Sequence, residues 1–166
     1  MLRLKLISMV LLYLFSINIW GNDIIQDNFD MQKECLARNI YFEAGNQPLA
    51  GQIAVALVTI NRVKNSQFPN TICEVIYQAK LRKNARGEDV PIIGQCQFSW
   101  FCDGKSDRPV DSDTWLEALG IAYNLFDVNV IDITEGALWY HADYTLPYWT
   151  NQLNQTVVIE NHIFYR

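Results

Sequence analysis

The chain of 166 residues carries a formal net charge of −5, with half of its residues hydrophobic and 19% charged. That length fits one domain with its own core. The composition excludes a disordered or collagen-like chain, and the acidic balance argues against a general nucleic-acid partner.

Taken in chain order, residues 1–21 stand apart. Arg3 and Lys5 form a basic head, and Leu6 to Trp20 is an apolar run broken only by Ser8, Ser16 and Asn18. The run is short for a membrane span, which needs about 20 residues. With Gly21 behind it, it reads as a secretory signal peptide. A retained anchor over residues 6–20 is the second reading. The mature protein is then expected outside the cytoplasmic membrane, periplasmic or extracellular, touching the membrane only through that leader. Four cysteines follow: Cys35, Cys73, Cys96 and Cys102. An even count in an exported chain suggests two disulfides, with three possible connectivities. Cys96 and Cys102 are close enough for a small loop, which would leave Cys35 with Cys73. Ligation of a metal by the four thiolates is the weaker reading, because no C-x-x-C pair exists. Two histidines leave little room for a histidine-rich site. No metal or cofactor is expected.

Residues 22–33 form a polar lead-in, clearest from Asn22 to Asp30. Met31 to Ala44 has helical spacing, and Gly45 is placed to end that helix. Pro48 opens a second helix, and Gln52 to Val63 is apolar nearly all round, as in a helix at the centre of a fold. Thr71 and Glu74 form a capping box for a third helix ending near Gln78. Lys80 to Asp89 reads as a solvated loop with a basic cluster of Lys80, Arg82, Lys83 and Arg86. Gln95 to Asp103 reads as short extended structure. Asp111 or Ser112 caps a fourth helix whose stripe is Trp115, Leu119, Tyr123 and Phe126. Ala137 to His141 and Thr156 to Tyr165 read as strands. The sum is an α+β, mainly helical domain with a small antiparallel sheet.

Glu43 is the informative residue. It continues the face set by Leu36 and Ile40 at i, i+4 and i+7, so the helix directs a carboxylate toward the core. Burial disfavours the ionised form and makes such a group a proton donor near neutral pH. Cleavage of a glycosidic bond requires that donor. The plainer alternative is a half-exposed helix-end residue, or one paired with Arg38 or Arg62.

At this point the sequence resembles a known family. Glu34-Cys35-Leu36-Ala37-Arg38-Asn39-Ile40-Tyr41-Phe42-Glu43-Ala44, Gly51 to Ala56, Asn61-Arg62-Val63, Phe68 to Cys73 and Gln97-Phe98-Ser99 are similar to blocks of the cell-wall hydrolase family of spore cortex-lytic catalytic domains. Trp139 to Ala142, Pro147-Tyr148-Trp149 and His162 to Tyr165 complete the series, so the resemblance covers residues 34–166. It implies a lysozyme-like catalytic domain, expected to be a monomer, acting on peptidoglycan glycan strands. It also implies Glu43 as the catalytic acid, and Gln97, Phe98, Ser99, Tyr140, His141 and Trp149 as substrate-binding candidates in the matching blocks. Where the family often has Arg-Gly-Glu after the alanine, this chain has Gly45-Asn46-Gln47. A second acid beside Glu43 is therefore missing.

One carboxylate suits a lytic transglycosylase, since hydrolytic glycosidases mostly use two. Asp103 and Asp143 are the reserve carboxylates for a hydrolytic muramidase. Two other classes compete. A zinc amidase would use Glu43, His141 and His162 as ligands. A non-catalytic wall-binding protein would not depend on Glu43 at all.

Overall fold

The structure is a computed structural model that describes residues 26–127 and 130–166. The signal-peptide reading concerns residues 1–21, which lie outside the described residues. The chain divides into two compact units, residues 1–32 and 33–166. In the first, residues 26–32 are helical, where a polar lead-in was expected. The rest of this description concerns the second.

Helix α1 (33–44) is followed by α2 (Leu49–Lys64) and the short α3 (Ile72–Ile76). Strands β1 (Ala79–Lys83) and β2 (Asp89–Cys96) come next, then a 3-10 turn at Ser99–Cys102 and α4 (Ser112–Asp127). The last part holds β3 (Trp139–Ala142), a 3-10 turn at Tyr148–Gln152, β4 (Gln155–Ile159) and β5 (His162–Tyr165). Both sheets are antiparallel: β1 pairs with β2, and β5 lies between β3 and β4. Among the described residues no helix is long and apolar enough to cross a membrane.

The all-round apolar pattern of α2 has a structural cause. On one side Ala56 joins Leu36, Ala37 and Ile40 of α1, Val75 and Ile76 of α3, and Ala118 and Ala122 of α4. On another side Ala54 and Val58 meet Ala137 and Phe164, with Val157 and Ile159 of β4 beside them. The helix is thus a central rod between a helical layer and the three-stranded sheet. A buried polar link ties α1 to α2 and to the first 3-10 turn, with Asn39 donating to Thr59 Oγ1 at 3.3 Å and accepting from Trp100 Nε1 at 3.0 Å. Cys35 is bonded to Cys73, joining α1 to α3, and Cys96 to Cys102.

Local signals were mostly obeyed. Thr71 caps α3 by accepting from the Glu74 amide, and Asp111 caps α4 by accepting from the Thr114 amide at 2.8 Å. Three expectations were corrected. The Lys80–Asp89 stretch is a β-hairpin, not a loop; Asn84 Oδ1 accepts from the Arg86 and Glu88 amides, and Gly87 takes φ +80°. The region from Gln95 is extended only to Cys96 and then turns into the 3-10 segment. The stretch from Thr156 is two strands, broken at Glu160, which adopts φ 49°. In α4 the deepest residues are Ala118 and Ala122, while Tyr123 is 39% exposed with Lys33 Nζ 4.3 Å over its ring. The Trp115–Phe126 stripe is therefore the flank of the buried face.

Gly45 follows α1 without a positive φ, unlike a left-handed helix-capping glycine. Its role is space. A Cβ there would lie 2.5 Å from the Tyr41 carbonyl oxygen and 2.9 Å from Thr114 Cγ2. The glycine lets the end of α1, and with it Glu43, press against α4.

Candidate active site

Glu43 sits in the last turn of α1, and two cavities meet at it. The larger, about 580 Å³, is lined by Tyr41, Phe42, Asn46, Gln47, Asn161 and His162 among others. The smaller, about 290 Å³, is lined by Arg62, Gln97, Phe98, Ser99, Tyr140 and Trp149 among others. Glu43 is common to both linings, so it stands where the two lobes of one cleft join. Among the described residues no other carboxylate lines either lobe.

Three elements determine its chemistry. Burial raises the Glu43 pKa above 4.5, while a hydrogen bond from Tyr140 and the charge of Arg62 pull it back. Tyr140, from β3, donates its hydroxyl to Glu43 Oε2 at 2.9 Å. Burial, and then the neighbouring Glu43 charge, push the Tyr140 phenol well above its usual range, so it stays a neutral donor. Arg62, from α2, is buried, and desolvation lowers its pKa to about 10, which leaves it cationic at neutral pH. Its Nε donates to the Leu138 carbonyl at 2.7 Å. Its guanidinium lies over the Phe68 and Phe98 rings, 5.4 and 5.2 Å from their centroids. Both Nη atoms donate to the Gln97 side-chain oxygen at 3.1 Å, in the amide orientation that the surrounding donors require. Asn61 adds a bond from Nδ2 to the Ala137 carbonyl at 3.2 Å. The Asn61–Arg62 pair thus fixes the approach to β3 that delivers Tyr140.

Gln97, Phe98, Ser99, Tyr140 and Trp149 all line the lobe beside Glu43. Phe98 is nonetheless almost wholly buried, so its main contact is with Arg62 rather than solvent. His141 lines neither lobe. It is buried, with Nδ1 2.8 Å from the Ala142 carbonyl and Nε2 3.0 Å from Tyr165 Oη, stacked on the Tyr165 ring. His162, read from sequence only as a candidate metal ligand or a structural residue, lines the larger lobe instead. Burial lowers its pKa, partly offset by Asp143, and its Nδ1 has no hydrogen-bond partner among the described residues. Strand parity explains the exchange: Tyr140, His162 and Phe164 share one face, while His141 and Tyr165 share the other. Glu43, His141 and His162 do not gather as ligands. No group of three His, Cys, Asp or Glu residues that could hold a metal occurs among the described residues. Asp103 and Asp143 line neither lobe.

Comparison with known proteins agrees with this layout. Two solved structures share the mainly helical α+β architecture, the lysozyme-like fold. The catalytic domain of SleB from Bacillus cereus matches with a TM-score of 0.54 and 27% identity, over 82% of this chain and 91% of that one. The catalytic domain of the germination-specific lytic transglycosylase SleB from Bacillus anthracis matches with a TM-score of 0.59 and 28% identity, over 81% and 93%. The spore cortex-lytic enzyme of Bacillus cereus is 40% identical over 47 residues, 28% of this chain and 18% of that protein. That of Bacillus subtilis is 42% identical over 43 residues, 26% and 14% of the two chains. The aligned stretch therefore spans less than a fifth of either curated relative. The family model described as Cell Wall Hydrolase matches residues 46–165, beginning just after Glu43. With most of its length inside that match, the chain belongs to the cell wall hydrolase family.

Proposed function

We propose that this chain is a lytic transglycosylase that cuts the N-acetylmuramic acid to N-acetylglucosamine bond of peptidoglycan with one catalytic residue, Glu43. The carrying observation is a lone carboxylate lining both cleft lobes, its pKa raised by burial. Glu43 gives its proton to the bridging oxygen as the bond to the muramic C1 breaks, and the N-acetylglucosamine leaves as an alcohol. The resulting carboxylate then takes the proton of the muramic C6 hydroxyl as that oxygen attacks C1. The product is a 1,6-anhydro sugar, and Glu43 ends protonated again. Arg62 and Tyr140 stabilise the intermediate carboxylate, and Gln97, Ser99 and Trp149 contact the sugar in the smaller lobe. Export through the leader would bring the enzyme to its substrate.

Mass spectrometry of products from purified sacculi tests this reading. Anhydro-muramic ends are expected. Reducing ends without anhydro sugar would replace the scheme with hydrolysis, and stem peptides freed from intact glycan would replace it with an amidase.

The Tyr140 bond gives a second test. The hydrogen bond lowers the Glu43 pKa, so Tyr140→Phe should raise it further. The alkaline limb of the pH–kcat/KM profile, where Glu43 loses its proton, is expected to move to higher pH. A limb that stays in place or moves down would show that Tyr140 does not tune the acid.

A further inference from the structure

The strap that leaves β3 at residue 143 and runs to Tyr148, the first residue of the following 3-10 turn, contains three large apolar residues in the open: Tyr144, Leu146 and Tyr148, at 85%, 84% and 85% exposure. Nothing in the core explains them. Of the three, only Tyr144 lines a lobe of the cleft. Its backbone is held on both sides. The Asp143 amide donates to the Asn161 carbonyl at 2.9 Å, and the Thr145 amide and hydroxyl donate to the Ala142 carbonyl at 3.0 and 2.9 Å. The ring is thus carried on a fixed base while its faces remain open to solvent. The same lobe is lined by two exposed side-chain amides, Asn46 and Asn161. A sugar ring has an apolar face of axial C–H groups and a rim of hydroxyl and acetamido groups. An accessible aromatic face beside two amides matches both.

We propose that Tyr144 is the stacking platform of a sugar subsite in the larger lobe, with the amides of Asn46 and Asn161 contacting the N-acetyl and hydroxyl groups of the same sugar. This rests on the glycan-cleaving reading and adds a binding residue to it. The aromatic face stacks without regard to the chemical step, so its contribution belongs to affinity.

Calorimetry with a peptidoglycan-derived tetrasaccharide, (GlcNAc–MurNAc)2, on the full chain carrying Glu43→Gln tests it without turnover. Adding Tyr144→Ala is expected to weaken binding about tenfold, the scale of one aromatic stacking contact. Adding Tyr144→Phe should restore it to within about twofold, since the ring is kept. Adding Tyr148→Ala, on the same strap and equally exposed but outside both lobes, should change nothing. Thermal melts of each variant confirm that the fold is kept. The proposal is overturned if Tyr144→Ala binds as tightly as its parent, if Tyr148→Ala loses as much, or if the tetrasaccharide does not bind at all. Absence of anhydro ends from the wild type would remove the transglycosylase chemistry while leaving these affinities to be read on their own.

Discussion

Glu43→Gln is expected to lower the rate of sacculus lysis by roughly 10²–10⁴-fold, the usual loss on removing a general acid, and by more if the group also serves as base. The same change should make the folded protein more stable at neutral pH. The Glu43 pKa is raised above 4.5 in the fold, so between 4.5 and that raised value the native state binds more protons than the unfolded one. Stability therefore falls as pH rises through that window. A neutral glutamine removes the conflict and can still accept the Tyr140 hydroxyl. Below 4.5 both states of the wild type are protonated, and the two proteins should melt alike. Thermal melts at neutral and acid pH, set beside lysis rates, check both halves. A glutamine variant that melts lower than wild type at neutral pH would show that the carboxylate is not held against its ionisation.

Loss of the Cys35–Cys73 bond carries the largest expected cost to the fold. It closes a loop of 38 residues, against 6 for Cys96–Cys102. Constraining the unfolded chain over those lengths contributes about 4 and about 2 kcal/mol respectively. The longer loop also runs through α2, the central rod, so α1 and α3 are tied around it. The Cys35→Ala/Cys73→Ala pair should unfold in urea with about 4 kcal/mol less stability than wild type, and the other pair with about half that loss. The reverse order would mean that local strain around the cleft, not chain entropy, governs these bonds.

What could be read from the sequence divides by range. Glu43 was legible because its neighbours Leu36 and Ile40 are fully buried and mark one helical face. The Thr71 and Asp111 caps were legible because a cap is a contact over three residues. The hairpin from Ala79 was not, because β1 is almost entirely exposed and offers no apolar alternation to recognise. The two histidines were misplaced for a different reason. Which face of β3 or β5 meets the cleft depends on pairing register, and a shift of one residue exchanges the faces. Asn46 and Gln47 were passed over as a missing acid motif, yet they line the larger lobe directly after α1. Tyr144 has no periodic signal at all, since it lies on a strap whose course is set by bonds to Asn161 and Ala142.

The proposed proton donor, Glu43, draws on three stretches of chain: its own helix, Arg62 of α2, and Tyr140, 97 residues beyond Glu43. A polypeptide still emerging or still uncollapsed has only an ordinary glutamate at that position, ionised at neutral pH and without a partner to hold it. That environment thus arrives only when β3 docks beside α1 and α2, and the fold acts as its own safety catch.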